Sequence, residues 1–262
     1  TVEHFDQEEN FKDLVFQPDA LRPLIPALKK RQCKICVLGG SISLQQRGYR
    51  PNLVRALQRR GVVVEDLPAA VGTAGCRPLS LVVNDLVLTK QPDLLMIEVA
   101  VNDGDELLES TPSGASAPSI LQAAEGIVRT VRKRCPSTAI VFLEMFLRDD
   151  GEARVLKTGS EAWRDSRVEE AIQWYHEVAP SLHRQICHRY ALTQINLVPA
   201  FRSLSCELRQ KWFRDDCHHS DLGGEAVGNL LARLILWSVR QAETSHVSVQ
   251  WSVHGGTSTR SA

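Results

Sequence analysis

The chain has 262 residues, and its 31 Lys+Arg balance 31 Asp+Glu, so the formal net charge is +0. A hydrophobic share of 43% with 24% charged residues is that of an ordinary globular protein and excludes disorder as the main description. Zero net charge leaves no global field for nucleic acid or an anionic membrane. No apolar run reaches the roughly 18 residues of a membrane span, and the best attempt, Leu230 to Val239, is broken by Arg233.

In chain order, Thr1 to Arg31 is polar and mixed, an entry segment with one short helix. Cys33 to Leu38 is an apolar run that stops at Gly39-Gly40, which reads as a buried strand ending in a tight turn. Tyr49 to Arg60 carries Leu53, Val54 and Leu57 at helical spacing, with Pro51 acceptable in the first turn. Val62 to Leu67 is β-branched and strand-like. A helix is expected over Leu79 to Thr89, a strand over Leu94 to Val99, a helix over Ser119 to Arg134 and a strand over Ala139 to Phe146. Trp163 to Arg189 has a helical pattern interrupted at Pro180, and Thr193 to Leu197 forms a fifth strand. Gly223 to Ala242 is the strongest helix, with Ala226, Leu230, Leu231, Leu234 and Ile235 on one face. The stretch from Ser110 to Ser119 reads as a mobile loop, and the Ser/Thr/Gly-rich tail from His246 as poorly ordered or loosely packed.

Strand alternating with helix predicts a three-layer α/β/α domain around a mainly parallel five-stranded sheet. Strands without polar alternation agree, because parallel strands are buried on both faces. The expected organisation is an N-terminal segment over 1–32, the α/β domain over 33–243 and a flexible tail over 244–262. The 7 cysteines are an odd, scattered set and not a disulfide framework. Cys33 and Cys36 form a C-x-x-C, but residues three apart on a strand face opposite ways, so both read as packing residues. Because the chain starts at Thr1 and not at Met, the absence of a leader says nothing about destination.

Ligands of open parallel sheets bind beyond the carboxyl ends of the strands. Four segments stand there: Gly39-Gly40-Ser41-Ile42-Ser43, Ala69 to Gly75, Ala100-Val101-Asn102-Asp103, and Asp215-Asp216-Cys217-His218 before the last helix. They supply a serine, a glycine turn, an asparagine and an Asp/His pair. A serine hydroxyl needs a base to become a nucleophile, histidine suits that task near neutrality, and a carboxylate fixes its tautomer. Backbone N–H groups and an asparagine amide suit a developing oxyanion. Each part alone has a bland reading: Ser41 as a helix cap, Gly72 and Gly75 as a flexible turn, Asn102-Asp103 as a turn or cap, Asp215 and His218 as a solvated cap.

Together, in this order, the four blocks resemble the SGNH hydrolases, the broader group of GDSL esterases and lipases, over roughly residues 33 to 242. The first block there reads Gly-Asp-Ser-x-[ST], the third Gly-x-Asn-Asp and the last Asp-x-x-His. In this chain Gly40 stands for the Asp, Ala100 for the Gly, and His219 where Pro is common. The resemblance implies a flavodoxin-like α/β fold and a serine esterase. Ser41 is then the nucleophile, His218 the base and Asp215 its partner, with Ser41, Gly72 and Asn102 forming the oxyanion hole. Gly75 in place of Gly72, and Asp216 with His219 in place of Asp215 with His218, remain alternative registers. The second register is disfavoured because Ser220 and Gly223 fall at the family's offsets only with His218. No cofactor or metal is implied, and the expected partner is a small-molecule, lipid or carbohydrate ester, with no nucleic acid. An acyltransferase or a catalytically lapsed binding protein on the same fold is the alternative, kept open by Gly40 and Ala100. A rival set of metal-ligand candidates (Cys187, His188, Cys206, Cys217, His218 and His219) matches no common zinc spacing.

Overall fold

The central strands show no alternation because helices cover both faces of the sheet, so every side chain must be apolar or internally paired. All five residues of β4 (Leu94–Glu98) and all six of β5 (Ala139–Glu144) are buried. In this computed structural model, which describes residues 8–108, 116–148 and 172–254, the sheet order is β1-β6-β5-β4-β2-β3. Strands β2 (Gln32–Gly39), β3 (Val63–Pro68), β4, β5 and β6 (Thr193–Asn196) run parallel. This is the flavodoxin-like order, in which the strand sequence reverses between β2 and β4.

The sheet has six strands, one more than expected. The extra strand, β1 (Val15–Phe16), pairs antiparallel with β6 at the edge. Two residues are too short a run to show any period, which is why the sequence conceals it. The stretch that follows, Pro18–Leu24, sends Leu21 and Leu24 fully into the core. The N-terminal segment therefore shares one core with the sheet.

One face of the sheet carries the Tyr49–Gln58 and Asp221–His254 helices packed on each other and on Pro18–Leu24. The other carries Cys76–Val83 against Ala117–Arg134, which in turn meets Ala179–Tyr190. The helix expected from Leu79 begins earlier, at Cys76, and ends in a π-turn over Asn84–Leu88. The expected break at Pro180 does not occur. The backbone widens into a π-turn over Trp174–Val178, so Pro180 falls in the first turn of the Ala179–Tyr190 helix, where its missing N–H costs nothing. Part of the expected loop, residues 110–115, and Trp163 lie outside the described residues. Ser116 and Ser119 form a capping box that starts the Ala117–Arg134 helix. The last helix backbone runs on to His254, and 255–262 lie outside the described residues. Among the described residues no helix is long and apolar enough to cross a membrane.

Cys33 and Cys36 are buried on β2, where burial pushes both thiols up to about 12. Both are buried free thiols that pack within the sheet, and their raised pKa disfavours the thiolate.

The close approach of the last helix to Tyr49–Gln58 depends on Gly228. A Cβ there would lie 2.4 Å from Asn52 Cβ and 2.6 Å from the Leu53 nitrogen. Gly228→Val is expected to lower stability by about 1–3 kcal/mol. Gly126, mid-helix with nothing within 4 Å of its Cβ position, gives the opposite sign: Gly126→Ala should raise stability by about 0.5–1 kcal/mol. Urea unfolding of the two variants beside the wild type checks both signs.

Candidate active site

Strand β2 delivers Ser41. Gly39 closes the strand, Gly40 follows in extended backbone (φ −94°, ψ −150°), and Ser41 opens a single helical turn, Ser41–Leu44. The loop between the Cys206–Trp212 helix and the last helix, Asp221–His254, delivers His218. An isolated antiparallel bridge between Phe213 and His219 closes the loop, reinforced by Arg214 N–H donating to His218 O (2.8 Å) and Ser220 N–H donating to Trp212 O (2.8 Å). Arg148 N–H, just beyond β5, donates to Asp216 O and ties the loop to the sheet.

His218 Nε2 lies 2.8 Å from Ser41 Oγ, across 177 residues of sequence. His218 Nδ1 is 2.9 Å from Asp215 Oδ2 and 3.0 Å from Oδ1. Asp215 Oδ1 also accepts the backbone N–H groups of His218 (2.8 Å) and Cys217 (3.1 Å). Half-burial opposes ionisation of Asp215. The bonds from the His218 ring and these two amides outweigh it and hold the carboxyl well below the usual range. An ionised carboxylate only accepts, so Nδ1 carries the ring proton and Nε2 is left to accept from the Ser41 hydroxyl.

The alternative register fails on geometry. His219 points away, buried among Tyr49, Phe201 and Phe213 with neither ring nitrogen hydrogen-bonded among the described residues. Burial pushes its pKa down to about 4, so it is a neutral aromatic packing residue.

The second and third blocks flank Ser41. Val71 N–H donates to Gly39 O (2.9 Å), laying the Ala69–Gly75 turn along the end of β2. Gly72 has only Leu44 Cδ1 near its Cβ position, at 3.7 Å. Gly75 instead caps the Cys76–Val83 helix and is pressed against Asp103, whose Oδ1 would lie 2.3 Å from an added Cβ. Gly72 thus borders the Ser41 turn, while Gly75 packs on Asp103. Asn102, in the first turn after β4, is 5% exposed and fills the space beside Gly40: its Oδ1 would stand 1.8 Å from a Cβ at that position. A side chain at Gly40 would therefore require the Asn102 amide to move.

A residue that sequence reasoning missed lies beneath this turn. Glu98, the last residue of β4, is 1% exposed. Its carboxyl receives the Ser43 hydroxyl (Oε2, 2.8 Å) and the Gly40 N–H, and Ser43 Oγ in turn accepts from the Tyr49 hydroxyl (2.7 Å). Burial raises the Glu98 pKa to about 8 against the bonds from Ser43 and Gly40, so at neutral pH it is chiefly the neutral acid. A charged letter in an apolar strand was the available signal.

Two groups of side chains among the described residues have the spacing to hold a metal ion: Cys76, Asp103 and His183, all buried, and Asp215, Cys217 and His218 at the Ser41 site. In the first, His183 Nδ1 meets Glu144 Oε1 at 2.9 Å, and Gln194 donates to the same oxygen at 3.0 Å. Of the rival ligand set, Cys187, His188 and Cys206 do not join either group. Trp174 and Tyr175 pack on the helix after β4, with Trp174 Nε1 donating to Ala100 O (3.1 Å).

The model of the GDSL-like lipase/acylhydrolase family matches residues 37–226, a span holding all four blocks. The chain belongs to that family. Among solved structures, a two-domain esterase active on acetylated mannans aligns with a TM-score of 0.59 at 18% identity. The alignment covers 84% of this chain and 53% of that one, so this GDSL-type chain spans about half of that esterase. The acetyl xylan esterase AlAXEase aligns at 0.57 and 19% identity, over 76% of this chain and 97% of that one. A catalytic mutant of Axe2, an acetylxylan esterase from Geobacillus stearothermophilus, aligns at 0.59 and 15%, over 78% and 94%. These likenesses show the fold. No curated protein sequence matches the chain.

Glu98 makes stability pH-dependent. An unfolded glutamate ionises near 4.5 and this one near 8. Between those values the unfolded chain has released a proton that the folded chain keeps, so raising the pH favours unfolding, by at most about 1.4 kcal/mol per pH unit. Melting temperatures from pH 5 to pH 8 should fall for the wild type relative to Glu98→Gln, which has nothing to ionise there. Parallel curves for the two proteins would refute the raised pKa.

Proposed function

We propose that the chain removes a short acyl group from an ester of a hydroxyl-rich alcohol, a carbohydrate ester, through an acyl-enzyme on Ser41. The observation that carries this reading is the 2.8 Å contact from Ser41 Oγ to a histidine whose far nitrogen is held by Asp215. As Ser41 Oγ bonds to the ester carbon, its proton passes to His218 Nε2, and Asp215 supports the resulting imidazolium. The carbonyl oxygen takes the negative charge and accepts hydrogen bonds from the Ser41 and Gly72 N–H groups and the Asn102 amide. Collapse expels the alcohol, which leaves with the proton from His218. A water then gives its proton to His218 and attacks the acyl-enzyme, and Ser41 recovers the proton as the acid departs.

The alcohol side is read from the surroundings. A cleft of about 540 Å³ adjoins the His218 loop and is lined by Gln45, Gln46, Arg47, Arg214 and Asp221 among others. Amides, guanidinium groups and a carboxylate suit hydroxyls better than an acyl chain. Structural neighbours include an esterase active on acetylated mannans and two acetyl xylan esterases. The Axe2 set contains catalytic mutants at a serine, an aspartate and a histidine three positions after the aspartate, the spacing of Asp215 and His218 here.

Ser41→Ala and His218→Ala are each expected to lower hydrolysis of p-nitrophenyl acetate by about 10³-fold or more with unchanged melting temperature. Asn102→Ala should cost about 10²–10³ in turnover. A fluorophosphonate probe should label the wild type and not Ser41→Ala, and full turnover by Ser41→Ala would sink the reading.

Gly40→Asp restores the family's usual residue yet should reduce turnover by about 10²-fold, because its side chain displaces the Asn102 amide. A rise in turnover would show that the two side chains can coexist.

A further inference from the structure

The last block carries a residue that the ester chemistry does not use. Cys217 places its thiol beside the His218–Asp215 contact. Its Sγ lies 3.5 Å from His218 Nδ1 and 3.8 Å from Asp215 Oδ1, and that same oxygen is 3.0 Å from Nδ1. These three separations outline one face of a tetrahedron. A zinc ion with bonds of about 2.3 Å to sulfur and about 2.0 Å to nitrogen and oxygen needs edges of about 3.5 Å for S–N and S–O and about 3.3 Å for N–O. The three donors meet this geometry to within about 0.3 Å without any backbone movement.

We propose that Asp215, Cys217 and His218 form an inhibitory site for a zinc-class divalent cation, whose binding disables the base assigned to Ser41. The proposal rests on the functional reading above for its consequence and on the donor geometry for the site itself. One thiolate, one imidazole and one carboxylate select a borderline-soft ion over calcium or magnesium, which favour all-oxygen shells. The ion is reachable, because the His218 and Asp215 side chains keep 17% and 24% of their surface in solvent. The other cluster, Cys76 with Asp103 and His183, is buried on all three members, so no such exchange with solvent is open to it in the folded chain.

The protons balance as follows. On binding, the Cys217 thiol gives its proton to water and sulfur becomes a thiolate ligand. The Nδ1 proton is displaced and Nε2 ends protonated, with Nδ1 donating its lone pair to the ion. His218 then presents an N–H to Ser41 Oγ in place of a lone pair. It can no longer take the Ser41 proton, and the Asp215 carboxylate, bound to the ion, no longer orients it. Removing the ion restores the original tautomer, so the inhibition is reversible.

The test uses the full chain with zinc chloride and, as a spectroscopic probe, cobalt chloride. Zinc should inhibit p-nitrophenyl acetate hydrolysis by the wild type and EDTA should restore it. Cys217→Ser, which keeps the backbone N–H to Asp215, should require about tenfold more zinc or beyond to halve its own metal-free turnover. Cys206→Ser removes an exposed thiol that joins neither ligand group and should be inhibited by zinc like the wild type. Cobalt should give a thiolate charge-transfer band in the wild type and in Ser41→Ala, absent from Cys217→Ser. Equal zinc sensitivity of wild type and Cys217→Ser, or a cobalt band that survives loss of Cys217, overturns the site. If turnover proves independent of Ser41 while the band depends on Cys217, the metal site stands and the assignment of Ser41 as nucleophile falls.

Discussion

The contact between Ser41 Oγ and His218 Nε2 joins the first parallel strand to the last loop. Almost every other feature of the fold bears on whether those two atoms meet. Strand β2 must lie between β3 and β4 for its end to open at the point where the strand order reverses. The final helix must then run back over the Tyr49–Gln58 helix, since it fixes the loop that carries His218. Gly228 permits that approach, and the Phe213–His219 bridge sets the loop's direction. Long-range pairing of this kind is unmade in the unfolded chain, so the site exists only when both halves of the sheet are assembled.

Around this contact the chain manages buried polarity in two different ways. Asp215 is half-buried and surrounded by donors, so it stays ionised and fixes a tautomer. Glu98 is fully buried with one hydroxyl and one amide, which is too little to hold a charge, so it is mainly neutral at pH 7. On the other side of the sheet, Glu144 Oε1 meets His183 Nδ1 at 2.9 Å, with both side chains buried. Burial also lowers the His183 affinity for a proton, but Glu144 and, more weakly, Asp103 raise it by more. Asp215 and Glu98 thus differ in state because their immediate surroundings differ.

Most of the fold was legible because the parallel strands are apolar runs bounded by glycine, charge or turn residues. The five expected strands fall within two residues of the observed ends. Strand β1 was invisible, since two residues have no period and its partner β6 is distant in sequence. The passage through Pro180 was misread because the π-turn that accommodates it leaves no mark in a 3.6-residue pattern. At the site, Asp215 and His218 were legible as a local spacing that one loop can present to one cleft. Gly72 and Gly75 could not be told apart by sequence, because both follow the same strand and differ only in what they pack on, Leu44 or Asp103. Glu98 was overlooked for the same reason: its partner Ser43 lies 55 residues away.

The departure at Gly40 illustrates how a motif can change without its surroundings collapsing. Read as letters, Gly40 deletes a carboxyl from the loop that carries Ser41. In three dimensions a carboxyl is still there, supplied from below by Glu98, which takes the Gly40 N–H and the Ser43 hydroxyl. The space an aspartate would fill holds the Asn102 amide, in contact with the same turn. A side chain on Gly40 would require the Asn102 amide to shift from its present place, so the two positions are coupled through one small space. Sequence motifs score the two positions separately, whereas the packing ties them together, and it is the pair that determines which groups border Ser41.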